Sequence, residues 1–256
     1  MSKELVKDMT WSYSRLDSFN TCKLMWKNSY IDDVDKESNA WSDIGTFCHE
    51  IMEDVANENI SPGDAVEMFK DGYDERVPEF PKFPLNLKKH YLKKCTPFFE
   101  DFKGFKHEVK GVELKFDYLL PDGSPFMGYI DLVVEHNGNI SVVDYKVSNP
   151  KNFKGKELKK KTRQLYMYAP AIKKIFGKYP KRMIFSFFQG GSVIEEFDEA
   201  KLEETLKWAT DTIAKIKKEE EFKHTDDEFF CDKICSFRSS CTKKEGYEEN
   251  RFTSVR

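Results

Sequence analysis

The chain has 256 residues, of which 39% are hydrophobic and 34% are charged, and its formal net charge is −3. This composition is typical of a globular protein and excludes a polycation that binds nucleic acid through its total charge. No apolar run approaches the roughly 20 residues that span a bilayer, and the first residues lack the apolar segment of a secretory signal. The sequence therefore predicts a cytoplasmic protein without membrane contact.

The N-terminal part of the chain, residues 12–60, carries apolar residues at helical spacing. The pattern predicts helical structure over 12–30 and 43–58, and a short helix that begins at the SPGD sequence, residues 61–64. A loop that contains the sequence FPKFPLN follows, and after it another helix is predicted over 88–102. The first part of the chain is therefore expected to be helical.

From residue 107 the apolar period changes from helical to two, which is typical of strands. Strands are predicted over 107–120, 125–136 and 140–147. The turns PDGS and NGN join them, and NGN is a strong hairpin signal. The three strands are therefore expected to form an antiparallel meander.

The rest of the chain alternates between helical and strand patterns. A long helix is predicted over 156–177, strands over 181–188 and 192–197, and a second helix over 199–220. An irregular segment with three cysteines follows over 221–256. This order predicts an α/β fold, or an α+β fold with a mixed sheet.

Three charged residues interrupt the apolar pattern of two predicted strands. Asp144 and Lys146 share one side of the third strand, and the hairpin brings Asp131 of the second strand near Asp144. Two close carboxylates repel each other unless a proton or a divalent cation lies between them, and oxygen ligands suit Mg²⁺ or Mn²⁺. The alternative is an ordinary ion pair at a strand end, which the Asp-x-Lys pattern alone favours.

Two helical sequences can supply further groups to such a site. In GTFCHE, residues 45–50, the imidazole of His49 can complete a metal shell or meet a phosphate. In QLYMYA, residues 164–169, Gln164 and Tyr168 lie four residues apart and share one helix face. Taken alone, the first is better explained as an ordinary helix histidine, and the second as a partly buried aromatic helix.

The order of five short sequences is informative where each alone is not. GTFCH, VELKF, GYIDLVV, VVDYK and QLYMYA follow one another as in the RecB-like branch of the PD-(D/E)XK nuclease superfamily. The chain resembles that branch from Ser12 to Cys241, and the branch includes the AddB nuclease domain and the CRISPR-associated RecB-like exonucleases.

The resemblance implies a restriction-endonuclease-like core with flanking helices in a single domain, residues 1–256. The helical part over 12–60 would carry Cys22 and His49, the catalytic core would span 107–200, and the cysteine segment would span 221–256. The implied fold therefore agrees with the mixed α/β pattern of the sequence.

The resemblance also assigns a role to each site residue. His49, Asp131, Asp144 and the main-chain carbonyl of Tyr145 would bind the metal, and Lys146 would be the catalytic lysine. Other positions that match the branch are Gln164 and Tyr168, which would support the active site, and Glu113, an acidic position near it. The chain departs from many relatives in carrying an aspartate, Asp144, where they carry a glutamate.

The cysteines suggest a second centre. Cys231, Cys235 and Cys241 lie close together in the sequence, and a site with four thiolates needs one more ligand, which Cys22 offers. The resemblance implies that these four hold a 4Fe–4S cluster that links the two ends of the chain. The chain departs from the branch in having three residues between the first two C-terminal cysteines, where relatives have two, and Lys23 in place of a proline. Zinc in the same thiolates and unligated cysteines are the alternatives.

The predicted partner is DNA. Residues 151–163 hold six lysines and one arginine directly after the third strand, which suits contact with phosphates, although a solvated helix face explains them equally well. The predicted function is a metal-dependent DNA nuclease, an exonuclease on single-stranded or end-bearing DNA. The alternatives are a DNA-binding adaptor or a subunit that needs a helicase, a recombinase or a CRISPR adaptation protein. The sequence contains no G-x-x-x-x-G-K-S/T motif of its own.

Overall fold

The computed structural model of the protein describes residues 6–37, 39–81, 83 and 85–241. Its contacts divide the chain into two compact units. The first, here called the terminal unit, contains Met1–Met9, Ser14–Asn39 and Thr212–Arg256. The second, called the sheet unit, contains Thr10–Tyr13 and Ala40–Asp211. That the whole chain acts as a single domain stays a prediction.

The helices follow the predicted pattern with two differences. The α-helices of the described residues are α1 Tyr13–Thr21, α2 Lys23–Tyr30, α3 Ala40–Ala56, α4 Pro62–Arg76, α5 Leu87–Asp101, α6 Gly155–Phe176 and α7 Glu199–Lys218. The predicted segment 12–30 forms two helices because Cys22 has an extended backbone and caps α2, where its sulfur accepts a hydrogen bond from the amide of Met25. Helix α4 is longer than predicted, since Ser61 and Asp64 form a capping box in front of a long apolar face.

None of the described helices is long and apolar enough to cross a membrane.

The sheet unit is built on five strands in sequential order. They are β1 Glu108–Leu119, β2 Pro125–His136, β3 Asn139–Lys146, β4 Arg182–Phe187 and β5 Ser192–Glu196. All neighbours are antiparallel except β3 and β4, which are parallel and are joined by a crossover through α6. Each strand lies within one residue of its predicted bounds, so the predicted meander and the mixed sheet are confirmed.

The main core of the sheet unit lies between one face of the sheet and the helices α3, α4 and α5. Leu132 and Val134 of β2 and Tyr145 of β3 are buried there against aromatic residues such as Phe69 and Phe99. These two phenylalanine rings stack with their centroids 4.6 Å apart. The core holds α3 firmly against the ends of β2 and β3, which is where the candidate catalytic residues lie.

Gly128 on β2 allows a close approach of an aromatic ring three residues from Asp131. A Cβ atom at this position would lie 2.7 Å from Cζ of Phe116, which is itself buried. We expect Gly128→Ala to lower the free energy of unfolding by about 1–3 kcal/mol, because overpacking a filled core forces side chains from their rotamers. Urea denaturation followed by circular dichroism measures this change.

Gly63→Ala is the control for this substitution. Its added Cβ would lie 3.5 Å from the Ser61 hydroxyl oxygen, an ordinary contact, and alanine is the better helix former. We expect no loss of stability in this variant. Equal urea midpoints for Gly128→Ala and the wild type would show that the strand adjusts to the added methyl group.

Candidate active site

Three side chains from three elements form a candidate metal centre. His49 lies on α3, Glu113 on β1 and Asp131 on β2, and one ligand atom from each lies within 4.8 Å of the others. The strand register explains the pairing of the acids: Val112 pairs with Leu132, and Leu114 pairs with Ile130, so Glu113 lies opposite Asp131. An imidazole and two carboxylates in this arrangement can bind one divalent cation.

The centre lies where β2 and β3 separate. The described pairing of the two strands ends at Leu132 and Val143. Beyond it, the Asp131 carboxylate accepts a hydrogen bond of 2.7 Å from the amide of Tyr145. The side chain thus takes the place of the missing strand partner, which fixes the position of one of its oxygens.

His49 is oriented by the main chain of β3. Its Nε2 lies 3.1 Å from the carbonyl oxygen of Tyr145, and because a carbonyl can only accept, Nε2 carries the proton. Nδ1, which lies 3.5 Å from Oδ2 of Asp131, is then the nitrogen with a lone pair. A histidine that binds a metal usually donates its other N–H to such a carbonyl, so this orientation suits a ligand.

Glu113 has a backbone conformation that is rare for its residue type. Its φ is +43°, in the left-handed region, although it lies inside a strand. Such a conformation costs about 1–3 kcal/mol for a residue with a side chain, and strained residues of this kind concentrate at functional sites. The strained position is therefore a second indication, independent of the distances, that Glu113 serves the site.

Next to the metal centre, four side chains form a closed chain of contacts. Lys146 Nζ donates a hydrogen bond of 3.0 Å to Gln164 Oε1, and Gln164 Nε2 donates one of 2.9 Å to the Tyr168 hydroxyl. The hydroxyl donates one of 2.9 Å to Asp144 Oδ1. Asp144 Oδ2, which is buried, lies 2.5 Å from Lys146 Nζ and closes the ring. We call these four residues the lysine ring.

Burial and neighbouring carboxylates raise the pKa values of two acids in this region. Burial, and then the Asp144 carboxylate, raises the pKa of the Asp131 carboxyl well above its usual range. Burial, followed by Glu53 and Asp144, raises the pKa of Glu113. Burial also lowers the pKa of His49. A nearby cation would therefore stabilise the ionised form of both acids. The lowered pKa of His49 keeps its imidazole neutral, which is the form that binds a metal.

Comparison with known proteins agrees with this geometry. The sequence profile of the PD-(D/E)XK nuclease superfamily matches residues 10–242. The chain belongs to this superfamily. No protein with a curated description matches the chain significantly.

Solved structures also resemble this PD-(D/E)XK protein. A protein from Eubacterium rectale that is described as a candidate exonuclease matches with a TM-score of 0.56 and 14% identity, over 93% of this chain and 90% of that one. At this identity the match shows a shared fold. A protein called SSO0001 matches with 16% identity over 90% of this chain and 95% of that one, but its TM-score of 0.33 is too low to support an argument.

The structure brings together the residues that the sequence predicted for the active site, with a different grouping. Asp144 was expected among the metal ligands, but its carboxylate contacts Tyr168 and Lys146 and is not part of the group within 4.8 Å. Glu113, which had no definite role, joins His49 and Asp131 instead. Sequence reasoning missed Glu53, which raises the pKa of Glu113 and lies one helical turn after His49.

The four predicted cysteines lie around one cavity in the terminal unit. Cys22, Cys231, Cys235 and Cys241 line it together with His224, and none of the four forms a disulfide bond with a described residue. Burial, followed by the other three thiols, raises the pKa of Cys235 to about 11. Four sulfurs from both ends of the chain in one cavity fit a metal centre.

The unusual cysteine spacing has a structural counterpart. Phe230–Ile234 form a π turn, and the amide of Cys235 donates to the carbonyl of Phe230. A π turn accommodates one residue more than an α turn, and such turns are frequent at functional sites. His224, which the sequence did not single out, has its Nδ1 3.0 Å from the carbonyl oxygen of Thr225.

Proposed function

We propose that this protein is a metal-dependent DNA nuclease of the RecB-like branch that removes nucleotides from single-stranded or end-bearing DNA. The observation that carries the proposal is the lysine ring beside the group of His49, Glu113 and Asp131. A cationic amine held next to a candidate metal centre is the arrangement that phosphodiester hydrolysis needs. The membership in a nuclease superfamily supports the same conclusion.

The donor set suits Mg²⁺ or Mn²⁺. His49, Glu113 and Asp131 would hold the ion, and Asp144 and the Tyr145 carbonyl are the further ligands that we propose. Two of the three grouped side chains are carboxylates, and they lack the thiolates that softer metals prefer. A bound ion of this kind supplies an acidified water and polarises a phosphoryl oxygen.

The protein side chains then have separate tasks. The ammonium group of Lys146 can donate to the attacking water or to a phosphate oxygen as negative charge develops there. Gln164 and Tyr168 contact this group and the Asp144 carboxylate, which positions the ammonium group before the reaction. Helix α6 supplies both supporting side chains, while β3 supplies both charged ones.

The same helix offers a surface for the DNA backbone. Lys156, Lys159, Lys160 and Lys161 occupy the turns of α6 that precede Gln164. Lys159 forms an exposed ion pair of 2.9 Å with Glu204, which contributes little and can be exchanged for a phosphate. Contacts between these lysines and DNA phosphates would direct a DNA strand toward the lysine ring.

For the cysteine centre we propose a 4Fe–4S cluster. Four thiolates from both ends of the chain line one cavity, which suits a cluster in which each cysteine binds a different iron. Zinc in the same thiolates is the competing occupant.

Digestion of end-labelled DNA tests the proposed function. We expect cleavage of linear single-stranded DNA with Mg²⁺ or Mn²⁺, none with EDTA, and none by Asp131→Asn, because an amide is a poorer ligand than a carboxylate. Asp117→Asn, an exposed aspartate on β1, is the control and should cleave normally. Circular single-stranded DNA of the same length should resist an exonuclease.

Three results would change the proposal. Rapid cutting of the circle would show an endonuclease. Cleavage by Asp131→Asn at the wild-type rate would place the metal elsewhere. Binding without cleavage by the wild type would favour the adaptor or a subunit that needs a helicase, a recombinase or a CRISPR adaptation protein, and addition of such a partner would separate these two.

A further inference from the structure

The terminal unit contains a groove with a strong positive charge. The groove has a volume of about 620 Å³, and four lysines from separate parts of the chain line it. Lys23 begins α2, Lys215 and Lys218 lie in the last turn of α7, and Lys223 follows that helix. Glu219 is the acidic residue of the lining, so four lysines and one glutamate give the described lining a net charge of +3.

Two of these lysines form no ion pair with a described residue. Lys23 forms an ion pair with Glu219, and Lys223 forms one of 2.7 Å with Glu221 outside the groove. Lys215 and Lys218 are exposed, and neither forms an ion pair with a described residue. The groove therefore presents positive charge that the described part of the chain does not neutralise.

Helix electrostatics explain only part of this pattern. Lysines in the last turn of α7 are favourable beside the negative end of the helix dipole, and that reason applies equally to Lys217, which does not line the groove. Lys23 lies at the positive end of α2, where the dipole disfavours a cation. Its ion pair with Glu219 offsets this cost at Lys23. Lys215 and Lys218 form no such pair with a described residue, and a bound anion would supply their partner.

The groove is open, and polar groups accompany its lysines. Asn20, Thr21 and Thr225 line it beside the charged residues. An open lining with separated cations suits a polymer with repeated negative charges better than a single small anion. We propose that this groove binds the phosphate backbone of a nucleic-acid strand, as a binding site additional to the one on the sheet unit. That the strand is DNA rests on the proposed function.

The test measures binding without cleavage. Fluorescence anisotropy of a labelled oligothymidylate is followed with the full chain carrying Asp131→Asn, at salt concentrations from about 50 to 200 mM. We expect Lys215→Gln with Lys218→Gln to weaken binding about tenfold. The slope of log affinity against log salt should fall by about 1.4, since each phosphate contact to a single strand contributes about 0.7.

Lys217→Gln is the matched control. This lysine lies in the same helical turn and is equally exposed, and its replacement removes the same charge from outside the groove. Its affinity and salt slope should equal those of the parent. If Lys217→Gln lost as much affinity as Lys215→Gln or Lys218→Gln alone, the effect would be one of general charge, and the proposal would be overturned. An unchanged salt slope in the double variant would also overturn it.

The ligand class and the proposed function are tested separately. Polyglutamate should compete poorly with the oligonucleotide, and equal competition would show a general anion site instead. If the wild type failed to cleave DNA but the double variant lost binding as expected, the groove would stand and the nuclease proposal would fall. Circular dichroism should show the same thermal unfolding for the Asp131→Asn parent, the double variant and the Lys217→Gln control.

Discussion

Replacement of Lys146 by methionine is expected to slow DNA cleavage by about a thousandfold while DNA binding changes by less than threefold. The ammonium group is the cationic member of the lysine ring, and it lies within 3.0 Å of both Asp144 and Gln164. A positioned donor of this kind contributes about 10²–10³ to the rate of reactions that develop negative charge. Methionine keeps a long unbranched side chain, so the change removes charge more than volume.

The measurement is a single-turnover rate with saturating Mn²⁺ and an excess of enzyme, which reports the chemical step. Lys181→Met is the control, because Lys181 is an exposed residue directly before β4 and lies outside the basic segment. It should cleave like the wild type. Asp144 is buried and would keep only Tyr168 as a partner, so the unfolding temperature must be recorded beside the rate. A rate within tenfold of the wild type would remove Lys146 from the chemistry.

The strands and their connections could be predicted from the sequence because local signals specify them. The turn sequences and the period of two determine β1 to β3 with little help from distant residues. The charged end of β3 is visible for the same reason: a buried strand that ends in Asp144 and Lys146 interrupts its own pattern. The hairpin then brings Asp131 to the same end of the sheet.

The grouping of the acids could not be predicted in this way. Glu113 meets Asp131 through the register of two strands, which also contain an irregularity between Val109 and Gly111. A shift of one residue would move Glu113 to the other face of the sheet. The left-handed backbone of Glu113 is equally invisible in the sequence, because glutamate has no preference for it. Hydrogen bonds from α6 decide that Asp144 belongs to the lysine ring.

The grouping of the cysteines could not be predicted either, because it joins residues that are far apart in the sequence. Cys231 and Cys235 are recognisable as a pair from their spacing, but their meeting with Cys22 depends on the packing of segments about 200 residues apart. Cys22 also ends α1 and caps α2, which divides a helical pattern that reads as continuous. Cys22 therefore has two structural roles, since it caps α2 and also lines the cysteine cavity.

On the proposal that the four cysteines hold a 4Fe–4S cluster, replacement of Cys231 by serine is expected to remove its iron and to unfold much of the terminal unit. A 4Fe–4S cluster carries about four irons and absorbs broadly in the visible range, so the anaerobically purified wild type should be brown. Metal binding and folding are coupled when the ligands come from distant segments, and structural centres supply roughly 10 kcal/mol or more. Loss of one ligand should therefore lower both the iron content and the unfolding temperature.

Cys95→Ala separates this effect from the loss of any cysteine. Cys95 is buried in the core of the sheet unit, far in sequence from the four ligands, so its variant should keep its iron and colour while losing some stability through a small cavity. Iron retained at wild-type levels by Cys231→Ser would exclude this residue as a ligand. A colourless wild type with one zinc per chain would replace the cluster by zinc.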